Sequence, residues 1–248
     1  MPMRSLRATI VASALTLTGA AGAGQPAPEH ASCPPSAATV PAESLERARQ
    51  WYSEGGGAAA LRCQAQALVA LARYAEAARL YDSLAEQATR IPERTALLAQ
   101  AARAWLLAEQ PEPAIRALNE ALKEQPEDPA LLIDRAEALA AADRLPDAIE
   151  DLSRAIDIDG GNADAYAFRG SALRQIDDLS AAAADLDKAL TLSPNHPEAL
   201  LERGIVRKLR GDPAGARTDW SRVLIVAPNQ PAAEAARGNL ARLDTPGG

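Results

Sequence analysis

A repeat with a period of 34 residues dominates the sequence between residues 95 and 243. Shifting the sequence by one period superposes small side chains, which let two helices pack closely. The small columns are Ala102, Ala136, Gly170, Gly204 and Gly238; Ala114, Ala148, Ala182 and Ala216; and Ala121, Ala155, Ala189 and Val223. Large apolar columns run beside them, at Leu118, Leu152, Leu186 and Trp220 and at Leu122, Ile156, Leu190 and Leu224. Such a chain is predicted to stack similar units.

Prolines and glycines mark the boundaries of these units. Pro126, Gly160, Pro194 and Pro228 end successive units, and Pro129, Pro197 and Pro231 open the next ones. Proline fits the first turn of a helix, where its missing N–H is not needed. Each unit is therefore predicted to be helix, turn, helix, and the fold to be all-α.

A 34-residue helix-turn-helix unit with these columns resembles the tetratricopeptide repeat (TPR) family. The resemblance implies an α-solenoid, a right-handed superhelix of stacked helix pairs whose concave wall is lined by the first helix of each unit. Members of the family mostly bind proteins or peptides and carry no catalytic chemistry of their own.

The repeat register sets the predicted organisation of the solenoid. Four full units span 95–128, 129–162, 163–196 and 197–230, and residues 231–243 repeat only a first helix, as a capping helix does. A divergent unit is predicted at 58–94, with Ala65, Leu68, Tyr74, Ala77 and Tyr81 in the expected order and a connection about three residues longer. Residues 244–248 are expected to form a frayed tail.

The N-terminal segment has the pattern of an export signal. Arg4 and Arg7 precede an uncharged, partly apolar stretch that ends in Ala21-Gly22-Ala23. The stretch is too short and too diluted by polar residues for an uncleaved anchor helix, and Cys33 lies too far downstream for a lipoprotein. We expect a signal peptide at 1–23, a periplasmic or secreted product, and no integral membrane segment after signal removal.

Residues 24–41 are predicted to be a disordered linker rich in Pro and Ala. Residues 42–57 are predicted to form an N-terminal helix followed by a hinge at Gly55-Gly56-Gly57. These glycines lack the Lys and Ser/Thr that a phosphate-binding loop places after them.

Composition argues against several function classes. The net charge of −7 and the absence of a long basic run disfavour nucleic acid and anionic membrane surfaces as partners. Two cysteines and two unclustered histidines cannot build a structural zinc site, so no metal or cofactor is expected. His30 falls in the linker and His196 in a turn between units, and no carboxylate pair stands out, so no catalytic residue and no enzymatic activity are predicted.

Cys33 and Cys63 are predicted to form one structural disulfide. An exported chain meets an oxidising compartment, and a minimal even cysteine count without C-x-x-C spacing favours a bridge over redox catalysis. The bridge would tie the linker to the first repeat.

Two charged columns appear together in three successive units. Their first helices carry Arg135, Arg169 and Arg203, and their second helices carry Asp151, Asp185 and Asp219. In the preceding unit the same places hold Ala101 and Ala117. An Arg beside the small column would be partly buried and would need an anion, so structural Arg–Asp ion pairs are predicted, within a unit in preference to between neighbours.

The first helices also define a predicted binding groove. Side chains on their equivalent faces are Arg103, Leu107, Asp134, Glu137, Phe168, Arg174, Glu202 and Lys208. This mixed-sign set lacks the Asn/Lys combination with which a well-known TPR subset holds C-terminal carboxylates. Phe168, the only Phe of the chain, either anchors a partner or packs between units.

The predicted function is a non-enzymatic protein–protein interaction scaffold or adaptor of the bacterial cell envelope. A protein or peptide partner would bind on the concave TPR surface. The alternative is an accessory subunit of an envelope enzyme or assembly machine, with a glycan as one candidate ligand.

Overall fold

The computed structural model describes Cys33 and residues 40–244, and this part of the chain is helical without strands. The expectations for residues 1–23, for the linker apart from Cys33 and its last two residues, and for residues 245–248 lie outside the described residues. The helices are α1 (Pro41–Ser53), α2 (Gly57–Ala70), α3 (Tyr74–Gln87), α4 (Ile91–Leu107), α5 (Pro111–Glu124), α6 (Pro129–Ala141), α7 (Leu145–Ile158), α8 (Ala163–Gln175), α9 (Leu179–Leu192), α10 (Pro197–Leu209), α11 (Pro213–Val226) and α12 (Pro231–Asp244).

The helices form a solenoid of helix-turn-helix repeats. Each helix packs against its neighbours in sequence, and the first helices also contact each other along α4, α6, α8, α10 and α12. The second helices make no comparable contacts among themselves in the described part of the chain. First helices therefore line one wall, and α1 occupies the place of a second helix in front of α2.

The turn inside each unit is built the same way throughout. One residue of this turn has a positive φ: Ala72 at 57°, Glu109 at 57°, Asp143 at 60°, Asp177 at 66° and Gly211 at 81°. The left-handed conformation ends the first helix and reverses the chain within three residues. The last four of these residues are spaced by the repeat period, so the turn belongs to the repeat.

Side-chain caps fix where several helices begin. Carboxylate or amide oxygens of Asp128, Asn162, Asp178 and Asp212 accept hydrogen bonds from backbone N–H groups of the first helical turn. His196 does the same for α10 through Nδ1, which accepts from the backbone N–H of Ala199 at 3.3 Å. These caps satisfy N–H groups that have no partner inside the helix.

The divergent first unit differs from the sequence-based expectation. The connection before α4 is short, and the additional residues lie in α4 itself, which has 17 residues where α6, α8 and α10 have 13. Pro92 in the first turn starts this helix at Ile91, four residues ahead of the predicted unit boundary. The capping helix likewise runs one residue further than predicted, to Asp244.

Two glycines of the small column permit close helix packing. A Cβ atom on Gly170 would lie 2.8 Å from Leu186 Cγ, and one on Gly204 would lie 2.3 Å from Trp220 Nε1. The indole of Trp220 is fully buried and donates a hydrogen bond to the carbonyl oxygen of Leu201 at 3.0 Å. Glycine at these two places leaves room for the large residue of the facing helix.

The buried apolar residues form two clusters that divide within α8. One cluster extends from Leu45 to Ala165, and the other from Ala167 to Ala236. Among the described helices, none combines the length and apolar character needed to cross a membrane.

Candidate partner-binding groove

Three arginines connect the helices of neighbouring units. Each guanidinium donates two hydrogen bonds to an Asp of its own second helix and a third to a polar side chain of the preceding second helix. The donor-to-acceptor distances are 2.6 and 2.7 Å for Arg135 to Asp151, 2.7 and 2.9 Å for Arg169 to Asp185, and 2.9 and 2.8 Å for Arg203 to Asp219. The third acceptors are Asn119, Ser153 and Asp187, at 2.9, 3.1 and 2.9 Å.

These contacts indicate a structural role. The aspartates are buried, with Asp219 only 2% exposed, and Arg207 Nη1 approaches Asp219 at 2.8 Å as a second cation. The Asp185 and Asp151 carboxylates hold the pKa of the paired guanidinium groups above its ordinary value, so these arginines stay charged. The two-bond pairs lie within a unit, as the charge columns suggested, while the third bond crosses to the neighbouring unit.

Cys33 lies against the second turn of α2. Its Cα atom is 5.2 Å from that of Cys63, and the two sulfur atoms are bonded. Cys63 is buried, so the bond joins Cys33 to a buried position of α2.

The eight predicted groove residues lie on α4, α6, α8 and α10, two on each helix. Arg103, Leu107 and Glu137 are exposed, and Phe168 is 36% exposed. Asp134, Arg174, Glu202 and Lys208 are half-buried. All eight residues are therefore in contact with solvent.

Ion pairs between successive first helices occupy part of this wall. Arg103 Nη2 donates to Asp134 Oδ2 at 2.9 Å, which links α4 to α6. Arg174 Nε donates to Glu202 Oε2 at 2.6 Å, which links α8 to α10. Four of the eight residues thus hold each other in place, and the others remain for a partner.

Two carboxyl groups of α6 have altered proton affinity. Burial raises the pKa of Asp134 above its ordinary value, although its bond to Arg103 opposes the rise. Partial desolvation of the carboxyl group also raises the pKa of Glu137, although the residue as a whole is exposed, and the nearby Asp134 carboxylate adds to the rise while Arg103 opposes it. Glu137 thus combines an exposed position with an unfavourable environment for its negative charge.

Exposed apolar residues complete the wall. Leu107 is 53% exposed, and Leu209 at the same repeat position three units later is 57% exposed. The sequence analysis did not single out Leu209, although its position in the column of Leu107 was the signal that could have found it. Together with Phe168 these residues supply apolar surface for a partner.

A surface cavity of about 670 Å³ lies among residues of α5, α6 and α7. Its lining includes Arg116, Lys123, Arg135 and Arg154. Lys123 pairs with Glu120, Arg135 pairs with Asp151, and Arg154 donates to the backbone carbonyl of Pro126. Most of its positive charge is therefore already engaged within the protein. Within the described part of the chain, no group of three or more potential metal ligands comes together.

The tetratricopeptide repeat family model matches residues 108–163 and 169–236, together half of the sequence. The chain belongs to the tetratricopeptide repeat family. The all-α TPR solenoid predicted from the repeat is thereby confirmed, and such a fold serves generally as a scaffold for protein–protein interaction. No curated protein matches the sequence.

Solved TPR structures share the fold at low sequence identity. A thermophilic TPR protein of Thermus thermophilus is 19% identical, with a TM-score of 0.58 over 82% of this chain and 100% of that one. The MamA 41-end fragment from Desulfovibrio magneticus RS-1 is 18% identical, with a TM-score of 0.57 over 70% and 97%. YrrB, described as a TPR protein with an unusual peptide-binding site, is 17% identical, with a TM-score of 0.51 over 81% and 99%. At these identities the likeness extends to the fold.

Proposed function

We propose that this protein is a non-catalytic adaptor of the bacterial cell envelope that holds a protein or peptide partner against its first helices. The supporting observation is the wall itself, in which exposed apolar and charged side chains recur on α4, α6, α8 and α10. A surface of this kind gives many modest contacts along an extended partner. The family's general role in protein interaction and the peptide-binding site named for YrrB support the same assignment.

The groove is tested by charge reversal at a residue that has no partner in the described part of the chain. Lys208 makes no ion pair or hydrogen bond with described residues, so Lys208→Glu changes the groove without breaking a structural contact. Lys188→Glu makes the same change on the exposed face of a second helix, α9, and serves as the matched control. Phe168→Ala removes the exposed aromatic group.

The partner is first captured from envelope extract by cross-linking, and its affinity for the purified variants is then measured. We expect Lys208→Glu and Phe168→Ala each to weaken binding by about tenfold, roughly 1.4 kcal/mol, and Lys188→Glu to leave it unchanged. Loss of binding with Lys188→Glu, together with normal binding by both groove variants, would place the interaction on the second helices and overturn the proposal.

Export rests on the sequence of residues 1–23 and is tested separately. A fusion of residues 1–41 to alkaline phosphatase, an enzyme active only after export, should be active in a bacterial host. Replacing Arg4 and Arg7 by Glu should abolish the activity, because the positive start of the signal is lost. An inactive parent fusion would contradict export by this segment.

A further inference from the structure

The repeat register identifies one place in the groove where a cation is missing. Arg103 of α4 and its partner Asp134 of α6 are 31 residues apart. The corresponding positions one repeat later, 34 residues further along the chain, hold Glu137 of α6 and Phe168 of α8. The place of the guanidinium is thus taken by a carboxylate, and the place of its acceptor is taken by an aromatic ring.

Other neighbouring first helices are connected by ion pairs between their side chains. Arg62 of α2 pairs with Glu93 of α4, and Arg174 pairs with Glu202 between α8 and α10. Between α6 and α8 the described residues form no ion pair, and Ala140 stands in α6 at the repeat position of Arg174. At the repeat positions of Arg103 and Arg174, α6 therefore has no basic side chain that could pair with α8. The division between the two buried apolar clusters falls in the same helix, α8.

The Glu137 carboxylate is left without a bonded partner among the described residues. The charge of Arg103 acts on it and opposes the rise of its pKa, but the Nε and Nη2 atoms of Arg103 both donate to Asp134. Arg174, on α8, is engaged with Glu202. By the repeat register, the exposed Glu137 carboxylate faces the exposed Phe168 ring, as Arg103 faces Asp134. With the neighbouring cations occupied, this arrangement is complementary to an incoming positive charge.

We propose that the groove between α6 and α8 binds a basic segment of the partner, with an arginine guanidinium stacked on Phe168 and hydrogen-bonded to Glu137. This inference rests on the proposed function and specifies the chemistry of the partner. Arginine fits better than lysine, because its planar group stacks on a ring and presents paired N–H donors to a carboxylate. The net charge of −7 favours the approach of a basic segment.

Phe168 gives a direct spectroscopic reading of this contact because it is the only Phe in the sequence. Protein labelled at phenylalanine with ¹³C has one set of ring signals, which is followed by NMR while N-acetyl-arginine amide is added. The neutral probe N-acetyl-citrulline amide has nearly the same shape and serves as the ligand control. We expect the arginine probe to shift the Phe168 signals with a dissociation constant of millimolar order, and the citrulline probe to shift them at least about fivefold less.

Two variants locate the charge that is responsible. Glu137→Gln should weaken binding of the arginine probe by about tenfold. Glu127→Gln removes the same charge from an exposed turn and should leave binding of the probe unchanged. The double variant Glu137→Arg/Phe168→Asp recreates the Arg103–Asp134 arrangement between α6 and α8. It should melt no lower than the parent and should show no binding of the arginine probe by ligand-detected NMR.

Equal shifts from the arginine and citrulline probes, or an unchanged response in Glu137→Gln, would overturn the inference. If Lys208→Glu and Phe168→Ala still weaken binding of the captured partner, the proposed function stands, and the partner's segment at this place has a different chemistry. Conversely, if the captured partner binds the groove variants with unchanged affinity, the proposed function is overturned, even if the arginine probe binds. The two failures are therefore distinguishable.

Discussion

At the scale of single residues, the charged columns predicted the Arg–Asp pairs but not the third hydrogen bond that each arginine makes. The simultaneous appearance of Arg and Asp in three units is visible in the sequence, and the structure places Arg169 within 2.7 Å of Asp185. The third acceptor could not be predicted, because its column reads Asn119, Ser153 and Asp187 and shares no charge. Only the three-dimensional approach of the preceding second helix reveals that these side chains belong together.

The first prediction concerns removal of the buried acceptor. Asp185→Ala leaves Arg169 with one hydrogen bond, to Ser153. We expect a loss of about 3 kcal/mol in the free energy of unfolding, the lower end for a broken buried pair, since the Arg169 side chain is 22% exposed. Asp187→Ala is the control, because Arg203 keeps its bonds to Asp219. Loss of the exposed Asp187 carboxylate should lower the free energy of unfolding by less than about 1 kcal/mol. Urea unfolding curves measure both, and coincident curves for Asp185→Ala and the parent would contradict the assigned role.

The second prediction compares two glycines of the same column. Gly204→Ala forces a Cβ to within 2.3 Å of the buried Trp220 indole and should destabilise the protein by about 2 kcal/mol or more. Gly238→Ala meets nothing nearer than 3.9 Å, at the end of Arg242, and should stabilise α12 by up to about 1 kcal/mol. Thermal melting should therefore shift in opposite directions, and equal shifts would show that close packing does not require glycine at residue 204.

At the scale of helices, the sequence was most informative where units repeat faithfully. The period places α6, α8 and α10 at identical spacing, and each begins after a turn that carries a side-chain cap. It misjudged α4, because the start of that helix depends on Pro92 and not on the repeat. The helix α1 was also predicted, but its role as an additional second helix depends on packing against α2, which no repeat column reports.

The groove shows the same limit of sequence reasoning. Equivalent faces could be derived from helical spacing, and all eight residues lie at the surface of first helices. Which of them are paired depends on the approach of neighbouring helices, as in the link between Arg174 and Glu202. Sequence alone therefore indicated which residues lie on the first helices but not which of them pair with each other.

The third prediction concerns the bond between Cys33 and α2. A bridge that closes 30 residues should stabilise the folded chain by roughly 3 to 4 kcal/mol through loop-closure entropy. Reduction, or Cys33→Ser, should lower the free energy of unfolding by the same amount and should lower the melting temperature, and adding a reductant to the variant should have no further effect. Thiol titration of protein isolated without reductant should find no free thiol. Two titratable thiols in that protein would show that the bridge does not form in the cell.

At the scale of the solenoid, stability should be local, because each unit contacts only its neighbours. The C-terminal end depends on α12, which buries Ala232, Ala233 and Ala236 in the second apolar cluster. Its contacts are with α10 and α11. Loss of α12 would expose the apolar side of these two helices to water, whereas α4 and α5 touch no part of it.

The last prediction follows from this locality. Deleting residues 231–248 should accelerate amide hydrogen exchange at least about tenfold in α10 and α11 and leave the exchange of α4 and α5 unchanged, because opening free energies in a repeat array depend on nearest neighbours. Deleting only residues 245–248 keeps α12 complete and is the matched control, for which no helix should change. Exchange followed by mass spectrometry resolves these segments. Uniform acceleration along the whole chain would mean that the solenoid unfolds as one cooperative unit, and unchanged exchange in α11 would mean that α12 does not act as a cap.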